Sequence, residues 1–178
     1  MIHPDDNGLV QRTLNGDRNA FGVLVERYQA QVYSIAWRML GVKEEAEDVA
    51  QAVFLKAYEK LSSFDPDYKF FSWIYRIAHN ESVNAIERRS RMQGLDEGME
   101  SADGHAESPD LPELVRACLS SLDVGHRSVL VLKYVQDLSY EEIGAILGIP
   151  AKTVKSRLFS ARAMLRETMR RQGLSEHD

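Results

Sequence analysis

Between positions 93 and 114 the chain carries seven acidic residues and no base. The same stretch holds Gly94, Gly98, Ser101, Gly104, Ser108 and Pro109 and shows no apolar periodicity. A segment of this kind has too little apolar surface to offset the entropy of ordering, and its like charges repel. Residues 92–110 are therefore expected to be a flexible acidic linker. That one feature rules out a single large core. It divides the 178 residues into an N-terminal piece, 1–91, and a C-terminal piece, 111–173. Each is small enough that burial alone supports it weakly, so each is expected to lean on a partner.

Both pieces read as helical throughout. From Asn19 to Leu40 the apolar residues Phe21, Leu24, Val25, Tyr28, Val32, Ile35, Ala36, Met39 and Leu40 recur in steps of three and four. They make one continuous face, and Gly41 suits a left-handed cap. Lys43 to Leu61 repeats the pattern behind an acidic first turn, which the helix dipole favours. A turn around Asp65-Pro66-Asp67 precedes a third long helix from Phe70 to Arg91, and a short helix near Leu9–Asn15 leads in. Beyond the linker, segments at Pro112–Leu122, Gly125–Val135, Ser139–Leu147 and Ala151–Arg171 are each helical. No strand alternation and no internal repeat is present, so the expected class is all-α.

The last two segments have a specific relation. Ser139-Tyr140-Glu141-Glu142 is a capping box, in which Ser139 and Glu142 each accept from the other's amide. Gly148 allows a sharp turn and Pro150 opens the next helix. Helix, short glycine turn, helix is the DNA-binding arrangement. On the second helix Val154, Leu158, Ala161 and Leu165 share the inner side. Lys152, Ser156 and Phe159 point outward, flanked by Lys155, Arg166 and Ser160. That face can neutralise phosphates and read base edges. Arg157 and Arg162, nearer the inner side, fit either phosphate contacts or internal ion pairs.

Charge supports this reading locally. The net charge is −5, yet Ala151–Arg171 holds seven bases against the single acid Glu167. A second signal is a density of rings. Tyr68, Phe70, Phe71, Trp73 and Tyr75 fall within eight residues, with Lys69 and Arg76 interleaved and His79, Asn80, Asn84 and Arg88 following. A core needs some of them; Phe71, Ile74 and Ile77 with Tyr75 or Trp73 are the expected set. Surplus rings beside cations can stack unpaired bases, and the loop before the helix can form a pocket for an extruded base.

Several classes are disfavoured. The one cysteine, Cys118, gives no intramolecular disulfide framework and points to a reducing, cytoplasmic compartment, with the thiol expected in the core. The five histidines are scattered and make no metal site. The first residues lack the pattern of a secretory leader, and no apolar run suits a membrane helix. No phosphate loop, paired acids or Ser/His/Asp spacing supports a hydrolase or phosphotransferase. A stand-alone helix-turn-helix regulator fits the C-terminal piece but gives the ring cluster no task.

Three stretches together resemble the extracytoplasmic-function class of the bacterial sigma-70 family. They are Ala46-Glu47-Asp48-Val49-Ala50-Gln51-Ala52-Val53-Phe54-Leu55, Phe71-Ser72-Trp73-Ile74-Tyr75-Arg76-Ile77-Ala78-His79-Asn80, and Leu138-Ser139-Tyr140-Glu141-Glu142 through Thr153-Val154-Lys155-Ser156-Arg157. The opening Gly16-Asp17-Arg18-Asn19-Ala20-Phe21 fits as well. The resemblance implies a region 2 domain at 1–91 and a region 4 domain at 111–173. Glu47, Asp48, Gln51, Phe54 and Leu55 would bind the clamp coiled coil of the largest subunit of core RNA polymerase, and the flap of the second subunit is a further expected contact. Lys69, Phe71, Trp73, Arg76, His79, Asn80, Asn84 and Arg88 would melt and read the −10 element. Lys152, Thr153, Lys155, Ser156, Phe159 and Ser160, with Lys133 from the preceding helix, would read the −35 duplex. Promoter DNA and an anti-sigma factor are the other implied partners, in a stress-response role. No cofactor, metal, small-molecule substrate, membrane insertion or enzymatic activity is implied. Ala52 stands where members often carry Glu, Ser160 where they often carry Arg, and the Asp65–Phe70 loop differs from the usual version.

Overall fold

The computed structural model describes residues 5–95 and 113–171. Eight α-helices carry the described chain: α1 (Asp6–Leu14), α2 (Arg18–Leu40), α3 (Lys43–Glu59), α4 (Phe70–Leu95), α5 (Glu113–Ser120), α6 (Val124–Tyr134), α7 (Tyr140–Leu147) and α8 (Ala151–Arg171). One 3-10 turn, Leu61–Ser63, follows α3, and no strand occurs among the described residues. The first four residues of the expected linker continue α4, which runs to Leu95 rather than stopping at Arg91. The remainder, 96–110, lies outside the described residues.

The ends of the helices are set locally. Asp17 accepts from the amides of Asn19 and Ala20 to start α2, and Gly41 ends it at φ 74°. Such a left-handed residue closes a helix without a Cβ penalty. In the N-terminal half α2, α3 and α4 pack together around Leu24, Val32, Ile35, Met39, Val53, Phe70 and Ile74, all buried. Each such side chain contributes roughly 1.5–3 kcal/mol relative to exposure. α1 braces the bundle through Asp6, which pairs with Arg27 and accepts from the Tyr28 hydroxyl. In the C-terminal half α6, α7 and α8 close around Leu132, Ile143, Ile146, Val154 and Leu158. Cys118 is buried there, as expected.

The ring assignment needs one correction. Phe70, not Phe71, is the innermost ring of the cluster, 1% exposed. As the first residue of α4 it meets Tyr28, Phe64 and Trp73 at ring-centroid distances of 5.4, 5.5 and 5.6 Å. Phe71, Trp73 and Ile77 are only partly buried, while Ile74 and Tyr75 are core.

The two halves also pack on each other. Arg127 of α6 is 8% exposed, and its guanidinium donates to the carbonyl of Met39 at the end of α2. It also serves the carbonyls of Ser120 and Leu122 at 3.0 and 2.9 Å. A buried cation is costly unless hydrogen-bonded, and the orphan carbonyls at a helix C-terminus are suitable acceptors. Arg89 of α4 reaches Leu40 O at 3.4 Å, and Arg116 of α5 reaches Gly41 O at 3.4 Å. Three arginines thus converge on the end of α2, two of them from the C-terminal half.

Candidate nucleic-acid interface

The helix-turn-helix forms as its residues dictate. The Glu142 amide donates to Ser139 Oγ at 3.1 Å, and the Ser139 amide donates to Glu142 Oε2 at 3.0 Å. Gly148 caps α7 at φ 67°. Gly144 is required for a separate reason: a Cβ there would lie 2.6 Å from the Ile149 carbonyl oxygen. The turn therefore brings its own backbone against α7, and Pro150 feeds α8 away at once.

On α8, Val154, Leu158 and Ala161 are buried, while Lys152, Lys155, Ser156, Phe159 and Ser160 are exposed and Thr153 is half-buried. Phe159 is 76% exposed. A ring left in water on a basic helix face has no packing role in this fold, which suits contact with a thymine methyl or a base edge. Lys133 is placed differently. Its ammonium donates to Leu138 O at 3.0 Å and sits over the Tyr140 ring, so it holds the turn before α7. The Arg162 guanidinium lies 5.5 Å from the centroid of the Tyr134 ring, a cation–π contact.

Two concavities lie along α4, one of them lined by rings of the cluster. One, of about 350 Å³, is lined by Ser63, Phe64, Asp65, Tyr68, Ser72, Trp73 and Arg76, with Ala145 of α7 on its wall. Asp65 shapes its rim by accepting from the Asp67 amide at 3.0 Å, and Asn7 of α1 donates to Pro66 O at 3.1 Å. The second, of about 370 Å³, gathers His79, Asn80 and Asn84 with Lys56 of α3 and Lys60, the residue that caps it. Nothing in the local sequence points to the two lysines. They reach this face only because α3 packs along α4. Arg88 lies further along, beside Asp48 and Ala52 in a groove between α3 and α4, apart from Lys69 and Arg76.

Three of the expected −10 residues are engaged by the other half. Lys69 Nζ lies 2.8 Å from Glu142 Oε1. Arg76 donates to the carbonyls of Ala145 and Ile146 in the last turn of α7. His79 Nε2 is 2.9 Å from Ser128 Oγ of α6. The Lys69 hydrogen bond lowers the Glu142 carboxyl below its ordinary value. Burial lowers the His79 imidazole below its ordinary 6.5.

A third surface lies on α3. Glu47, Gln51, Phe54 and Leu55, with Ala50 and Tyr58, form one wall of an apolar groove of about 1060 Å³; Phe21, Gly22, Val25, Gln29 and Tyr33 of α2 form the other. Leu55 is 67% exposed. Asp48 falls on the opposite side of α3, so the five expected residues straddle the helix rather than share one wall.

Comparison with known proteins accounts for both halves. Residues 24–92 match Sigma-70 region 2, and residues 113–165 match Sigma-70, region 4. The chain is 37% identical to the ECF RNA polymerase sigma factor SigW of Bacillus subtilis, over 90% of its own length and 95% of the relative's. The chain belongs to the ECF sigma factors of the sigma-70 family. The ECF RNA polymerase sigma-E factor of Escherichia coli is 38% identical over 88% of this sigma factor and 90% of that one. Among solved structures, CnrH in complex with the cytosolic domain of CnrY is similar at TM-score 0.68 and 31% identity, covering 90% and 94% of the two chains. The sigma factor RpoE in complex with the anti-sigma factor NepR, from Bartonella quintana, is similar at TM-score 0.71 and 25% identity, covering 84% and 96%. The region 2 match also gives the ring cluster its place, which a stand-alone regulator could not. No described helix of this sigma factor is long and apolar enough to cross a membrane.

Proposed function

We propose that this sigma factor docks on core RNA polymerase through α3 and its flanking grooves, reads −35 duplex with α8, and opens and reads the −10 element with the face of α4. The supporting observation is the separation of chemistry. An exposed basic recognition helix lies in one half and a ring-lined concavity beside Lys69 and Arg76 in the other. Duplex is read through groove edges and phosphates; unpaired bases are held by stacking and extrusion into a pocket.

In this reading residues 1–91 act as region 2 and 111–173 as region 4, and 92–110 tether them. At the −35 element Lys152 and Lys155 neutralise phosphates, and Thr153, Ser156, Phe159 and Ser160 face the base edges. Lys133 supports the turn, consistent with its bond to Leu138 O. At the −10 element Trp73 and Phe71 stack bases, Lys69 and Arg76 hold backbone, and His79, Asn80 and Asn84 line the continuation with Lys60. Glu47, Gln51, Phe54 and Leu55 meet the clamp coiled coil on the apolar side of α3, with Asp48 and Arg88 on its polar side. The flap of the second subunit is assigned to the C-terminal half. An anti-sigma factor is a further partner, by analogy with the complex of RpoE with NepR. Polymerase performs the chemistry and this chain performs none. Its place is the cytoplasm, with the polymerase. Transcription in vitro with core enzyme and a genomic promoter library tests the whole reading. Promoter-specific starts that need this chain are expected; no co-elution with core and no start would overturn it.

A further inference from the structure

The cations of α8 are not equivalent. Its single acid, Glu167, holds Arg170 at 2.9 Å and Arg171 at 3.1 Å, so those two share one counter-charge. Arg162 is half-buried and has no ion pair among the described residues. Its guanidinium lies over the ring of Tyr134, the last residue of α6, and Tyr134 is itself 58% exposed. The Nε atom is buried and has no hydrogen-bond partner. The ring face attracts the cation but supplies no acceptor oxygen. At the same corner Lys133, the neighbour of Tyr134, is committed to Leu138 O at 3.0 Å. Position singles out Arg162 as well. It stands seven residues beyond Lys155, about 20° short of two full turns and about 10 Å further along the axis, so both share one flank. The 21 residues of α8 span about 31 Å, against a major groove about 12 Å wide. A recognition helix enters with its N-terminal residues, so the stretch bearing Arg162 passes over the phosphate wall of the groove.

We propose that Arg162, held by Tyr134, is a phosphate site for duplex DNA at the edge of the groove that α8 enters. The Arg162 guanidinium donates to a phosphodiester oxygen, which supplies the acceptor and the counter-charge that the chain itself does not. Tyr134 is the positioning residue: its ring holds the planar fork in place before DNA arrives, so less freedom is lost on binding. The contact fixes the helix on the backbone and carries no base preference. This inference rests on the assignment of α8 as the duplex reader.

The probe is a short fluorescein-labelled duplex of randomised sequence, titrated with the full chain and followed by anisotropy over a graded salt series. Arg162→Ala is expected to bind about tenfold more weakly at low salt and to reduce the log–log salt slope by about 1. Arg162→Lys, which keeps the charge, is expected to restore the slope. Tyr134→Leu is expected to bind about threefold more weakly with the slope kept, and Tyr134→Phe, which keeps the ring, to match the native chain. The double variant Y134L/R162A is expected to bind no more weakly than Arg162→Ala alone. Thermal midpoints are read alongside. A native slope in Arg162→Ala, or a slope that Arg162→Lys does not restore, would overturn the phosphate site; a lowered midpoint with a native slope would make Arg162 a staple between α6 and α8 and nothing more. Additive losses in the double variant would remove Tyr134 as the positioning residue. The underlying assignment fails by a different result. If Lys152→Ala and Lys155→Ala also leave the slope unchanged, α8 is not the duplex reader. If they lower it and Arg162→Ala does not, the reader stands and the site does not.

Discussion

The Arg127 guanidinium hydrogen-bonds the carbonyl oxygen of Met39, joining α6 to the last turn of α2 across a separation of 88 residues. The same side chain closes on Ser120 and Leu122, so one buried cation ties the loop before α6 to the other half of the molecule. Arg127→Met keeps much of the bulk and removes every donor. Each buried carbonyl left without a partner costs about 1–3 kcal/mol. A lower urea midpoint is expected, together with looser docking of the halves. Arg127→Lys should rescue little, because an ammonium cannot reproduce the planar fork. Urea unfolding of the three chains checks the order; an unchanged midpoint in the Met variant contradicts it.

Docking should weaken in mild acid. His79 is half-buried beside Ser128, with Asn80 Oδ1 3.3 Å from Nδ1 and Lys56, Lys60, Glu81 and Asn84 around the concavity it lines. Burial holds its pKa below the ordinary 6.5. The docked state therefore binds fewer protons than the open state, and docking gains stability as pH rises toward 6.5 and is level above it. Below 6.5 the open state is favoured progressively. Cysteines introduced at Ser72 and Ala145, which line one concavity from the two halves, report the docking: their cross-linking should fall on acidification across this range, and His79→Gln should flatten the profile above the range where Glu142 titrates.

Trp73 sits in the wall of the ring-lined concavity and packs on Phe64 and Phe70. If it stacks an unpaired base, Trp73→Ala should remove roughly 1–3 kcal/mol of single-strand affinity. Permanganate reactivity of promoter thymines in the holoenzyme should drop accordingly. Trp73→Phe should recover most of the signal, because a ring is what stacking needs. Equal reactivity in the Ala variant and the native chain would remove Trp73 from the reader.

On α8 the two kinds of contact should separate by salt. Lys152→Ala should weaken −35 duplex binding by the holoenzyme evenly across sequences and reduce the salt slope by about 1. Phe159→Ala should leave the slope alone and change which −35 sequences are preferred. Competition binding over a graded salt series reads both. A slope change in the Phe159 variant would place that ring on the backbone.

The turn should be intolerant at Gly144. A methyl there meets the Ile149 carbonyl oxygen at 2.6 Å, and forcing extra volume against backbone costs about 1–3 kcal/mol. Gly148→Ala strains a left-handed residue at φ 67° by roughly 1–2 kcal/mol. Both variants should lose thermal stability, and Gly144→Ala should also shift the backbone resonances of Ile149 and Ala151. Native stability in Gly144→Ala would mean that the turn relaxes more freely than its packing indicates.

What the sequence made legible was local. The capping box at Ser139 and Glu142, the left-handed Gly41 and Gly148, and the apolar stripes of α2 and α8 depend on neighbours within a few residues. What it did not show depends on contacts made at a distance. Phe70 is core because Tyr28 and Phe64 close over the first turn of α4, and a one-residue choice of ring cannot be read from spacing alone. Lys56 and Lys60 join the α4 face only through helix packing. The pairing of Lys69 with Glu142 spans 73 residues, and nothing near either residue announces it. Asp48 separates from Gln51 and Leu55 because α3 is flanked by a groove on each side.

Glu142 divides its two oxygens: Oε2 accepts from the Ser139 amide and Oε1 holds Lys69. One carboxylate is at once the device that starts a helix and the hook that catches the opposite half. A cell that altered this position to loosen the catch would also fray the fold that presents it, so restraint and assembly of this molecule cannot be tuned apart.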